Sequence, residues 1–176
     1  MAGFRKTLIA GLSLAALGVL PLSGTEFVRS HAPMSERLSL HINGISFHFS
    51  SDRHTLNEVN YGLGVSAYMG RFESESPLLD DVKVFAEADF YSDSFSTFGY
   101  LFGVSFERRL WKQLNWGVNL GLIHEDNLER KSGSYLFPYV VPFVQTNFDF
   151  PVNGRILFVP PVHNDGIIAL QLIVDF

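Results

Sequence analysis

The chain has 176 residues, of which 47% are hydrophobic and 17 are Phe, with a net charge of −5 and no cysteine. That length suits one domain with a real interior rather than two. The basic residues form no stripe or patch, so nucleic acid has no electrostatic footing here, and the lack of thiols excludes disulfides and cysteine catalysis.

Residues 1–24 read as a secretory signal peptide: Arg5 and Lys6 precede an apolar run from Leu8 to Leu20, and the small residues Ser23 and Gly24 follow. The run stops at Pro21 and falls short of the roughly 20 apolar residues that a membrane helix needs. Residues 25–176 then form the working domain, outside the cytoplasm. Thr25 to Arg37 leaves room for a short helix, although Pro33 interrupts it and its apolar stripe is weak.

From residue 38 onward the apolar residues recur at every second position, the period of a strand with one apolar face. This pattern predicts strands over 38–50, 58–72, 81–92, 96–110, 114–125, 137–149, 154–160 and 166–176. Phe98, Tyr100, Phe102, Val104 and Phe106 alternate with Gly99, Leu101, Gly103 and Ser105, and Trp116, Val118, Leu120 and Leu122 with Gly117, Asn119 and Gly121. In the last segment Ile168, Leu170, Leu172, Val174 and Phe176 share one face, and Ala169, Gln171 and Asp175 the other. Turn signals separate the segments at Glu73 to Asp81, at Pro151-Val152-Asn153-Gly154 and at His163-Asn164-Asp165-Gly166.

A soluble sandwich would bury the large face against a second sheet, whereas a barrel in lipid turns it outward and keeps small or polar groups inside. The expected fold is therefore an all-β, eight-stranded antiparallel transmembrane β-barrel. The strand ending in Phe176 is similar to the closing strand of bacterial outer-membrane barrels, which places the protein in the cell outer membrane. An even strand count puts both ends in the periplasm and the loops near 51–57, 91–96, 126–136 and 160–165 outside. Eight strands enclose too little space for a porin.

This topology brings His48 and the pair Asp93-Ser94 to one level at the outer rim. A serine, a histidine and an aspartate are the parts from which a nucleophile and its base are built. Each is also commonplace at strand ends, where a solvated rim group is the simpler reading. His124 with Glu125 and Asp126 offers cation ligands, but without a diagnostic spacing a solvated loop is expected there.

At these residues the sequence resembles the lipid A palmitoyltransferase family, PagP, from about Leu40 to Phe176. Ile45-Ser46-Phe47-His48 is similar to the family's first strand with its catalytic histidine, and Asp93-Ser94-Phe95, followed by Gly103 and Phe106-Glu107, to its Asp-Ser-aromatic motif and the next strand. Asn57-Glu58 with Gly62 and Gly64, and Asp126-Asn127, match further stretches. The resemblance implies transfer of a palmitoyl-like chain from a phospholipid donor to a hydroxyl of the lipid A acceptor, with His48, Asp93 and Ser94 catalytic. It places Gly99, Gly103 and Ser105 in the acyl-chain pocket, with Ser105 standing where the family has glycine and so shortening the preferred chain.

Pro138, Pro142 and Pro160 resemble family prolines whose missing backbone donors open the wall to lipid. Asn43 departs from a family proline, which puts a second opening in doubt, and the segment before the barrel is shorter than the family's amphipathic helix. No metal or cofactor is implied, no nucleic acid is expected as a partner, and the protein is expected to be membrane embedded as a monomer or homodimer. A phospholipid hydrolase on the same barrel and a noncatalytic small barrel are the alternatives.

Overall fold

Alternating side chains need a wall with two different faces, and a closed sheet supplies one. The computed structural model describes residues 24–34, 37–49, 55–126, 129, 133–162 and 165–176. The signal-peptide reading, apart from Gly24, lies outside them, as do Ser50 to His54, Asn127 and the His163-Asn164 half of its turn. In chain order the strands are β1 (Thr25–Arg29), β2 (Leu38–His48), β3 (Val59–Ser74), β4 (Val82–Ser92), β5 (Phe98–Trp111), β6 (Leu114–Glu125), β7 (Phe137–Thr146), β8 (Val152–Val162) and β9 (Asp165–Asp175). Strands β2 to β9 pair in succession, all antiparallel, and β9 returns to β2, so an eight-stranded barrel closes. No helix among the described residues is long and apolar enough to cross a membrane.

The first part of the segment held open for a helix is instead the strand β1, which pairs from Thr25 opposite Ser74 to Arg29 opposite Gly70. Its reason is an unfilled edge: β2 covers β3 only as far as Leu38 opposite Ala67. Phe27 and Val28 favour extended backbone, and the Phe27 ring packs edge-on to Phe72 at 5.4 Å. The turn expected at residues 151–154 is shifted towards the N-terminus. β8 begins at Val152, so the turn lies before it, and the Asn153 side chain accepts from the Phe148 amide at 2.9 Å while its backbone stays in the strand.

The two faces separate as the alternation requires. Leu63, Val65, Phe102, Leu122, Val140, Leu170 and Leu172 stand outward and exposed. Aromatic rings flank this aliphatic band: Phe49, Tyr61, Phe90, Phe98 and Tyr135 towards the rim that bears the loops after β2, β4 and β6, and Trp111, Trp116, Phe148 and Phe150 towards the opposite rim. The lower interior carries a polar network. There Arg155 donates to Glu87 at 2.9 Å and to Gln145 at 2.7 Å, and its guanidinium lies 4.4 Å from the Phe143 ring centroid. Next above, His41 Nδ1 stands 3.2 Å from both oxygens of Asp89, which also accepts from Asn43 and Gln171.

The wall is not evenly stitched. β7 pairs with β6 along Phe137 to Thr146, yet with β8 only through Phe143, Val144 and Gln145. Pro138 and Pro142, four residues apart, would direct a backbone N–H to the same neighbour, and the ladder that is missing there is the one to β8. Exposed Pro160 stands on the facing stretch of β8. The β2–β9 seam, by contrast, slips at the bulge between Asn43 and Ser46 and then resumes through His48 opposite Ile167.

Candidate active site

His48 is the last residue of β2, and its alternation aims it into the barrel mouth, where it is 1% exposed. Ser94 arrives from the loop between β4 and β5, across the top of β3. The two meet: His48 Nε2 lies 2.7 Å from Ser94 Oγ. With Nε2 as acceptor, the serine hydroxyl donates to it, which is the arrangement a base needs before it takes a proton.

Asp93 is equally buried but faces its own loop. Its Oδ1 accepts from the amides of Phe95 at 2.9 Å and Thr97 at 2.8 Å, and its Oδ2 from the Thr97 hydroxyl at 2.6 Å. Asp93 thus holds together the loop that carries Ser94. The loop turns so tightly that Ser96 takes a positive φ of 60°, and three hydrogen bonds to one carboxylate hold that turn. Because the Phe95 and Thr97 amides are taken, neither is an oxyanion donor in this conformation.

Asn57, a residue that sequence matching marked without giving it a task, clamps this loop from the top of β3. Its backbone amide donates to the Ser94 carbonyl at 2.7 Å and its side-chain amide to the Asp93 carbonyl at 3.3 Å. One level below, Asn60 donates to the Ser92 carbonyl at 2.9 Å and its carbonyl oxygen accepts from the Ser46 hydroxyl. These rungs fix the serine loop to the strands that carry the histidine.

The proposed pocket residues all face the lumen, but the space they leave is filled. A Cβ on Gly99 would stand 3.0 Å from the Tyr91 ring, and one on Gly103 would stand 2.9 Å from the Tyr139 hydroxyl and against the Leu120 carbonyl oxygen. These glycines therefore seat aromatic rings against the wall. Ser105 is fully buried, one inward position below Gly103, and donates to Glu87 Oε1 at 2.8 Å. It belongs to the polar floor. Pro138, Pro142 and Pro160 lie together at the unpaired β7–β8 seam, on the wall rather than in the site.

His124 is not the solvated loop residue expected. It is 6% exposed, with its ring 4.9 Å from Tyr100 and 4.3 Å from Tyr135. Glu125, one position on, points the other way and accepts from the Tyr91 hydroxyl at 2.8 Å inside the barrel.

No family model matches the chain, and no curated protein matches it.

Proposed function

We propose that this protein is an outer-membrane acyltransferase that moves a palmitoyl-like chain from a phospholipid to a hydroxyl of lipid A. The observation that carries the reading is the 2.7 Å contact of His48 with Ser94 in the mouth of a barrel whose outside is apolar. An aliphatic belt with aromatic rings at both edges suits a bilayer, and in water so large an exposed apolar surface would drive association. The resemblance to PagP, on residues that meet in space, supplies the substrates.

His48 takes the Ser94 proton as Oγ attacks the donor ester carbonyl, and returns it to the departing lysophospholipid oxygen. The lipid A hydroxyl then attacks the acyl-serine, giving its proton to His48, which returns it to the departing Ser94 Oγ. In a direct transfer, the lipid A oxygen attacks the donor ester while Ser94 relays its proton to His48, which passes it to the departing lysophospholipid oxygen. Asp93 acts one step removed, by holding Ser94 in place.

The test is chemical. Expressed in a Gram-negative host lacking its own enzyme, the protein is expected to add one acyl chain to lipid A, read by mass spectrometry. A folded barrel that releases free fatty acid with no added chain would instead make it a hydrolase, and one that changes no lipid would make it a noncatalytic barrel.

Two further results follow from the wall and the floor. Replacing Pro138 and Pro142 by Val restores two backbone donors facing β8, so the seam zips further up. Transfer from bilayer phospholipid is expected to fall at least about tenfold, while a short-chain soluble ester that enters from the mouth is still cleaved. Equal losses on both substrates would remove the seam as the entry route. Ser105→Met raises the floor by a long side chain, and the donor profile is expected to move to shorter acyl chains. An unchanged profile would show that the tail ends above Ser105, against Tyr139.

A further inference from the structure

We propose that His124, Asp126 and Glu129 form a site for a divalent transition metal of the zinc class on the outer face of the loop rim. This goes beyond acyl transfer and uses none of its residues.

His124 Nδ1 lies 2.8 Å from the Tyr135 carbonyl oxygen, and a carbonyl only accepts, so Nδ1 carries the proton. In the neutral ring the lone pair is then on Nε2, the tautomer that a metal-binding histidine adopts when a backbone carbonyl holds its other nitrogen. The ring is buried and wedged between Tyr100 and Tyr135, so it is held rather than free to turn.

Nε2 is aimed at carboxylates. Asp126 Oδ1 is 3.5 Å away, and ligand atoms of His124, Asp126 and Glu129 all lie within 4.8 Å of one another. A charge-assisted hydrogen bond would be about 2.7–2.9 Å, so 3.5 Å is long for a bond between the two groups. Two ligands at about 2.0–2.1 Å from one tetrahedral ion stand roughly 3.4 Å apart, which is the separation seen. The Glu129 carboxylate, within 4.8 Å of both, supplies the third ligand. One nitrogen with two carboxylates suits zinc better than calcium or magnesium, which prefer an all-oxygen shell. Water takes the fourth position.

Bound there, the ion would join the end of β6 to the turn carrying Asp126 and Glu129. Through the Tyr135 carbonyl it would also reach the chain entering β7, and so fasten both ends of that loop. The experiment is a zinc titration of the whole barrel in detergent micelles, against a chromophoric chelator. One zinc per barrel is expected, and Glu129→Gln and Asp126→Asn, both outside the strands, should each weaken it at least about tenfold, the loss that even an outer-shell partner causes. Heat-shifted electrophoretic mobility shows that the variants fold. Wild-type protein that takes up no zinc, or variants that bind it as tightly as wild type, would overturn the site, as would displacement of zinc by an equal concentration of calcium.

Discussion

Ser94→Ala and His48→Ala are each expected to leave a folded barrel that adds at least about 100-fold less acyl chain to lipid A, the lower end of what a positioned base contributes. The two groups act on one proton, so the double variant should be no worse than either single one. Losses that multiply would mean that serine and histidine serve separate steps. Asp93 supplies the sharper contrast. An aspartate that orients a catalytic histidine costs about 10⁴-fold when changed to asparagine. Here the Asp93 oxygens serve Phe95 and Thr97, and in Asp93→Asn the amide oxygen still accepts the two backbone bonds while the Thr97 hydroxyl turns to accept from the new amide. Asp93→Asn is therefore expected to keep activity within about tenfold of wild type with an unchanged pH profile. A loss as deep as that of His48→Ala, or a displaced pH profile, would put Asp93 back beside the histidine in the working enzyme.

The walls of the barrel were legible in the sequence because alternation is a local signal. Phe102, Leu120 and Leu172 share a face with their neighbours two residues away, and the bilayer-like belt requires no knowledge of distant pairing. The meeting of His48 with Ser94 was also legible, since an up-and-down topology places the end of β2 and the loop after β4 at one rim. The strand at Thr25–Arg29 was not. Among the described residues its strand partner is the stretch from Gly70 to Ser74, and nothing within the five residues says that this edge stands open. The loop bonds of Asp93 were not legible for a different reason. A triad can be guessed from residue types, but the direction of a carboxylate depends on how tightly its loop turns, here through the positive φ of Ser96. The same holds for His124, whose burial comes from Tyr100 on one strand and Tyr135 in a loop.

The largest effect on stability is expected inside the lower barrel, where Arg155 and Glu87, 68 residues apart in sequence, are 3% and 5% exposed and bonded at 2.9 Å. Arg155→Ala leaves the Glu87 carboxylate buried with no cation, and breaking such a pair from one side costs about 3–5 kcal/mol. Urea unfolding of lipid-reconstituted barrel, followed by the fluorescence of Trp111 and Trp116, should show that loss. Replacing both partners, Glu87→Gln with Arg155→Met, removes the two charges together and is expected to recover most of it, because the attraction that is lost was largely offset by the desolvation of both ions. Ser105 keeps a partner in the glutamine oxygen, and the methionine retains contact with the Phe143 ring. Arg155→Ala within about 1 kcal/mol of wild type would mean that water enters the lower lumen and screens Glu87, and the floor would then be wet rather than sealed. The double variant also separates structure from chemistry. His48 and Ser94 sit at the other end of the barrel, so a protein that regains its stability should regain its transfer rate, whereas a lasting loss would place the charge pair in the path of the acyl chain.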